Sequence, residues 1–189
     1  MELTLDDVRA DVTSRLTDAA RNRRSPMHTP VVATQDADVR IMVLRAFDPD
    51  GWTLRFHTDA RAPKIALLDN GAAVGVLFYD AQEKVQIRCK GTARIESDSE
   101  LAEDAWNASS AFARRCYLGQ PPGEQSNGPA SGLPANLEGV KPDEDTLVGA
   151  RQNFAILLVQ IETADWYSLK HTGHRRALLA REKAYWLTP

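Results

Sequence analysis

Between Val39 and Lys64 the chain carries several groups able to hold an anion. Arg40 lies in the apolar run Val39-Arg40-Ile41-Met42-Val43-Leu44-Arg45. His57-Thr58 ends the next run, Leu54-Arg55-Phe56-His57-Thr58, and Lys64 follows Pro63. An arginine inside an apolar strand usually has an anionic partner, because a buried unpaired charge is costly. A guanidinium, a hydroxyl and an ammonium brought together by one hairpin and one helix start make a place for a phosphate. The constellation points to a phosphorylated cofactor. The competing readings are a solvated arginine on an open strand face and an ordinary surface lysine.

Those groups need elements to position them. Asp48-Pro49-Asp50-Gly51 has turn chemistry, so strands over Val39–Phe47 and Trp52–Thr58 are expected to form a hairpin. Pro63 suits the first turn of a short helix reaching Leu68, with Asn70-Gly71 as its stop. Upstream, Thr4 and Asp7 resemble a capping box for a helix over residues 4–23, with Leu5, Val8, Val12, Leu16 and Ala19 on one face. A short strand is expected at Val31–Thr34.

Downstream, Val74–Tyr79 reads as a strand apolar on both faces. Lys84–Ile95 alternates Val85, Ile87 and Cys89 against Gln86, Arg88 and Lys90, and Gly91 marks a bulge or a close backbone approach. Ser97 with Glu100 opens a helix expected to carry Leu101, Ala105, Ala108 and Phe112 on one side. Residues 119–145 are rich in Pro, Gly, Asn and Ser and read as a long loop, which is commonly functional. Phe154–Ile161 is a nearly continuous apolar strand, and the segment 166–189 holds His171, His174, Arg175, Arg176 and Trp186. Many strands, few helices and hairpin connections make the fold class mainly β (α+β). The architecture expected is a closed or nearly closed antiparallel barrel with peripheral helices, in a single domain over residues 1–189 whose first 25 residues hold the N-terminal helix.

Composition narrows the function classes. A formal charge of -3 gives no basic excess for nucleic acid. No apolar run is long enough to span a bilayer, and no signal pattern opens the chain, so a cytoplasmic location is expected. Cys89 and Cys116 are too far apart in sequence for close zinc-ligand pairs and read as two free thiols. The four histidines and the scattered acids form no metal-ligand cluster, and no Ser-His-Asp or Cys-His arrangement asks for a nucleophilic mechanism.

At this point the chain resembles the pyridoxamine 5'-phosphate oxidase-like FMN-binding split barrels, from Val31 to Pro189. Arg40-Ile41-Met42-Val43-Leu44-Arg45 is similar to the family's Arg-x-Val-Leu-Leu-Lys strand, whose arginine and backbone hold FMN. His57-Thr58 matches an aromatic-Thr pair, and Lys64 the lysine of a Ser-Arg-Lys helix start. Gln86, five residues before Gly91, matches a glutamine that contacts the flavin ring. Gln125-Ser126 matches a Gln-Ser pair at the flavin site, and Trp166 and Arg176 match a tryptophan and an arginine near the C-terminus. Trp186-Leu187-Thr188-Pro189 resembles the family's ending. The loop opening at Gly119-Gln120 looks closer to a divergent subgroup than to the biosynthetic oxidase.

The resemblance implies an FMN-binding split β-barrel with a flavin site between two subunits of a homodimer. It implies flavin-dependent oxidation or reduction of a small-molecule substrate, with the phosphate held by Arg40, Thr58, Lys64, Ser126 and Arg176. Pro63 replaces the family's arginine, and Arg61 is a candidate to stand in for it. Where the oxidase has an Arg-x-His pair for its substrate, this chain has Thr172-Gly173-His174, so His174 alone is retained. Arg45 stands at a substrate-phosphate lysine, and Arg114 and Arg115 fall near other substrate-phosphate positions. Loss of that arginine argues against true pyridoxamine 5'-phosphate oxidase activity. Two alternatives stay open: an NAD(P)H-dependent flavin or quinone-type reductase, and a non-catalytic FMN- or haem-binding module.

Overall fold

The structure, a computed structural model, describes residues 2–68 and 71–189. The helix stop expected at Asn70-Gly71 falls partly outside them, at Asn70. The first helix, α1, spans Leu5–Arg21. Its capping box is complete: the Thr4 hydroxyl accepts from the Asp7 N–H, and the Asp7 carboxylate accepts from the Thr4 N–H. Val8, Val12, Leu16 and Ala19 form its buried stripe.

Among the described residues, nine antiparallel strands make one curled sheet. They are β1 (Val31–Ala33), β2 (Val39–Ile41), β3 (Leu44–Asp48), β4 (Thr53–Asp59), β5 (Ala73–Asp80), β6 (Val85–Glu96), β7 (Phe154–Ser168), β8 (Arg175–Ala180) and β9 (Ala184–Leu187). The main path runs β2-β1-β5-β6-β7-β4-β3, and β8 and β9 continue from the far half of β7. Met42 N–H bonds Pro30 C=O at 3.0 Å and Leu44 N–H bonds His28 C=O at 2.9 Å, so the two ends of that path meet at one corner. Alternation sends Leu54, Phe56, Val76, Phe78, Ile87 and Leu157 inward, where they pack with the apolar stripe of α1. This is a split barrel with peripheral helices, as the sequence implies.

Several expectations are corrected. The strand expected over Val39–Phe47 is two strands, because β2 pairs with β1 while β3 pairs with β4, and the chain crosses between them at Met42-Val43. Phe154–Ile161 is only the first half of β7. The strand continues to Ser168 beyond a register shift at Lys90/Gly91 of β6, so Trp166 lies within a strand rather than at its end. Gly91 is required there, since a Cβ would lie 2.0 Å from the Gln160 carbonyl oxygen. β8 and β9 are short strands of six and four residues that the sequence reading left unassigned within the segment 166–189.

The helix expected from Ser97 breaks into α3 (Glu100–Asn107) and α4 (Ala111–Arg114), capped by Ser99 and Ser110. Its buried side is Ala102, Ala105 and Trp106, whereas Leu101 and Phe112 are exposed. α2 spans Lys64–Leu68, and α5 (Glu144–Leu147) ends the long loop. A second apolar cluster of α3, α4 and α5 residues covers Phe154, Ile156 and Leu158, which explains why that half of β7 is apolar on both faces. The outer face of β5 has no such cover, and Leu77 and Tyr79 are exposed on it. Among the described residues no helix is long and apolar enough to cross a membrane.

Candidate functional site

The β3–β4 hairpin, β2 and the start of α2 converge on a groove of about 440 Å³. Arg40, Ile41, Met42 and Val43 line it from β2 and the crossover, Arg45 from β3, and His57, Thr58 and Asp59 from β4. Lys64 comes from α2, and Cys116, Tyr117 and Pro122 come from the segment after α4. Arg45 reaches the groove because the β3–β4 register shifts between Leu44 and Ala46.

Sequence reasoning placed Arg40 in a buried strand flanked by apolar residues. The observed arrangement is the inverse. β2 is an edge strand with Val39 62% and Ile41 71% exposed, and the Arg40 side chain is the part-buried one, at 18%. Its Nη2 donates to the Asp38 carboxylate and to Thr34 Oγ1. Its Nη1 is buried and has no partner. Lys64 is half-buried, and burial and the nearby Arg40 charge hold its ammonium pKa below the usual lysine range, against the pull of Asp59 and Asp38. Thr58 is buried, and its hydroxyl lies 3.5 Å from the Asp59 carbonyl, too long to satisfy it. Two cations and a hydroxyl therefore face one groove with donors unspent.

Arg61 does not stand in for the missing arginine. Its guanidinium is bound by both oxygens of Asp59, at 2.9 and 2.7 Å. That ion pair shapes the turn into α2 instead.

His57 forms the inner wall. It packs edge-on against Phe154, with centroids 4.9 Å apart, and its Nε2 is buried without a partner. Burial, reinforced by Arg45 and Arg55, depresses its pKa from 6.5 to about 3, so the ring is neutral at physiological pH. Tyr117 packs on the same Phe154 at 5.1 Å, and burial pushes its hydroxyl pKa above the usual tyrosine range. Cys116, Tyr117, Pro122, Asp38 and Thr34 were not assigned to the site from the sequence, which read Cys116 only as a free thiol. The first three arrive through tertiary packing of a loop and carry no local signal. Thr34 and Asp38 flank a polar turn next to Arg40, and that adjacency was readable.

The remaining site residues lie elsewhere. The Leu44 side chain is in the core, fully buried. Gln86 pairs in register with Tyr167, and Tyr167 with Arg176, so Gln86 and Arg176 share one cross-strand row with Tyr79 and Leu187. That row points outward, away from the core side of β6 shared by Val85 and Ile87. Arg176 is bound bidentately by Asp165, at 3.0 and 2.7 Å. Burial alone would raise the Asp165 carboxyl pKa, but hydrogen bonds from Arg176 and Arg88 outweigh it and hold it low. His174 stacks edge-on with Tyr167 and lines a hollow of about 400 Å³ with Arg176 and Trp186.

Trp166 is buried on the core side, and its indole N–H donates to Asp11 of α1 at 2.8 Å. Gln125 and Ser126 are exposed, and Ser126 Oγ donates to the Gly128 carbonyl at 2.7 Å. Arg114 is paired with Glu144, and Arg115 donates to the carbonyls of Leu137 and Val140. One chain thus gathers Arg40, Ile41, Met42, Val43, Arg45, His57, Thr58 and Lys64. It does not bring Gln86, Gln125, Ser126, Trp166, His174 or Arg176 to them.

Residues 10–97, which contain most of α1 and every strand lining the groove, match the family described as pyridoxamine 5'-phosphate oxidase, FMN-binding domain. Among solved structures, a pyridoxamine 5'-phosphate oxidase-related, FMN binding protein from Nostoc punctiforme superposes with a TM-score of 0.75 at 21% identity, over 100% of each chain. PhzG from Burkholderia lata, solved with tetrahydrophenazine-1-carboxylic acid, gives a TM-score of 0.64 at 16% identity, over 95% of this chain and 91% of that one. A general stress FMN/FAD binding protein from Xanthomonas citri gives 0.53 at 18% identity, over 94% and 96%. No curated protein matches the chain by sequence. At such identities the structural likenesses speak for the fold, and the family match speaks for residues 10–97, which supply most of the groove's lining. The chain thus has the split-barrel fold of these structures, and within it residues 10–97 match the pyridoxamine 5'-phosphate oxidase, FMN-binding domain family.

Proposed function

We propose that the chain binds FMN with its phosphate in the groove of Arg40, Thr58 and Lys64, and that it is an oxidoreductase acting on a small molecule. The observation that carries the reading is Arg40, which lines the same groove as the half-buried Lys64 and whose Nη1 is buried without a partner. A phosphomonoester carries about -1.5 to -2 charges at neutral pH and three strong acceptors. It would satisfy the open guanidinium donor and the Thr58 hydroxyl, and it would relieve the repulsion between Arg40 and Lys64.

When bound, FMN supplies the redox chemistry, and the chain's own residues bind and orient it. Arg40 and Lys64 anchor one end. His57, Tyr117 and Phe154 form an apolar, water-poor wall behind the groove, in which His57 stays neutral and offers one unspent ring nitrogen. No residue is assigned as general acid or base.

The proposal includes a homodimer. Gln86 and Arg176 lie on an outward row that one chain does not fold onto the groove. The neighbouring row runs from Ile41 through Val31 to Leu77, and Ile41, Leu77 and Tyr79 are exposed on this face. A second copy covering that face would bury the apolar residues and bring Gln86 or Arg176 of one subunit toward the groove of the other.

The test is a visible spectrum of the purified protein, FMN titration of any colourless fraction, and steady-state assays with NADH and NADPH. A flavin spectrum or saturable FMN uptake supports the cofactor. Reduction by a nicotinamide donor moves the activity to the reductase class, and a flavin that no donor reduces leaves a binding module. No FMN uptake, or uptake of haem instead, overturns the reading.

A further inference from the structure

The unpartnered nitrogen of Arg40 is only half of its arrangement. The other terminal nitrogen, Nη2, is held twice, by the Asp38 carboxylate and by Thr34 Oγ1 at 3.1 Å. Thr34 is itself buried and oriented, because its hydroxyl donates to Asp36 Oδ1 at 2.6 Å and is thereby left free to accept from Arg40. The Thr34 hydrogen bond holds the Asp36 carboxyl below the usual carboxylate range.

The β1–β2 turn that supplies these groups is tightly closed. Thr34 N–H donates to the Asp38 carbonyl at 3.0 Å, and Ala37 N–H to the Thr34 carbonyl at 3.1 Å. Ala37 takes a φ of 65°, a backbone region that alanine seldom occupies. Two residues of one turn therefore hold a single nitrogen of the guanidinium and leave Nη1 of this groove-lining arginine without a partner.

We propose that Asp38 is a positioning residue for the phosphate: with Thr34, it fixes the Arg40 guanidinium by Nη2 so that Nη1 meets the ligand. This rests on the FMN reading above. The contrary role for Asp38 is a counter-ion that a phosphate must displace, and the two roles predict opposite signs. A positioning carboxylate strengthens FMN binding, whereas a competing one weakens it.

The experiment compares FMN with riboflavin, which lacks the phosphate, by flavin-fluorescence titration of the wild type, Asp38→Ala and Asp38→Asn. Alanine removes both charge and acceptor. Asparagine keeps an acceptor oxygen at the same reach and drops the charge. The expected result is that Asp38→Ala weakens FMN about tenfold, near the low end of what losing a charge-assisted hydrogen bond costs, with riboflavin affinity unmoved. Asp38→Asn should stay within about threefold of the wild type. Thr34→Val, which removes the second clamp, should act in the same direction as Asp38→Ala.

FMN binding to Asp38→Ala that equals or exceeds the wild type overturns the inference and makes Asp38 a competitor. A wild type that binds FMN no better than riboflavin overturns the phosphate reading itself. The wild-type ratio alone shows that second failure, before any variant is measured.

Discussion

The groove beside Arg40 and the outward row through Gln86 and Arg176 are both rich in cations, yet they balance their charge in opposite ways. On the row, Arg176 and Arg88 converge on Asp165, and every guanidinium there has a carboxylate. Around the groove, Arg40 leaves one nitrogen buried and unpaired, His57 does the same, and Arg45 has no acid paired with it among the described residues. The buried side-chain nitrogens without a partner among the described residues belong to Arg40, Arg55, His57, Arg114 and Arg115, and none is on β6, β7 or β8. An unspent buried donor costs free energy in the empty protein, which a ligand can recover on binding. The groove has the energetics of a binding site, and the row has those of a finished surface that a second copy could cover.

The contrast is broken most severely at Gly91. The outward row exists only because β6 and β7 keep register through the shift beside this residue, where a Cβ would collide with the Gln160 carbonyl. Gly91→Val should cost more than about 3 kcal/mol, seen as a large fall in the chemical-denaturation midpoint or as insoluble protein. Wild-type stability in Gly91→Val would show that the two strands slip without penalty. The groove is tested next. Arg40→Ala should weaken FMN by about 1.5–3 kcal/mol while leaving the melting temperature nearly unchanged, since the side chain it removes holds an unsatisfied donor. A titration in which FMN affinity stays put would transfer the phosphate to other residues.

The frame was more legible in the sequence than the site. Thr4 with Asp7, the 48–51 turn, the alternation of Val85, Ile87 and Cys89, and Gly91 each carry a local signal, and each element formed where its signal stood. The boundaries that failed were set by partners. Met42-Val43 breaks an apolar run because the two halves pair with different strands, and β8 forms on the edge of β7 and β9 in turn on the edge of β8. Within the site, residues 40–43, 45, 57, 58 and 64 are close in sequence, and β2, the β3–β4 hairpin and the start of α2 gather them. Cys116 and Tyr117 come from some fifty residues further along by way of the α3–α5 layer, and no periodicity announces that route. Pairing is likewise invisible locally: Arg61 and Arg45 look alike in the sequence, and only the structure shows Asp59 consuming the first.

His57 sharpens the comparison through pH. Above about pH 6.5 its ring is neutral in the folded and unfolded states alike and contributes nothing. Between that value and about 3, the unfolded chain binds a proton that the folded one refuses, so stability falls as pH falls. The slope is at most about 1.4 kcal/mol for each pH unit. His57→Phe keeps the packing against Phe154 and removes the slope. Thermal melts of both proteins between about pH 7 and about pH 5 should show the variant gaining on the wild type as the solution is acidified. Parallel curves would mean that the ring is protonated in the folded state and paired, contrary to its place between Arg45 and Arg55.

The smallest effect belongs to the outward row. Arg88 is largely exposed, and it shares Asp165 with Arg176, whose two hydrogen bonds remain when Arg88 is removed. Arg88→Gln should therefore change stability by about 1 kcal/mol or less, with the little that is lost fading further in high salt. The same substitution at a site with an unspent charge would not behave this way, because there the partner is the ligand. A loss of several kcal/mol in Arg88→Gln, measured by denaturation at low and high salt, would mean that Asp165 depends on both arginines. The row would then be as poised as the groove, and the distinction between a satisfied surface and an unsatisfied pocket would no longer separate the two regions.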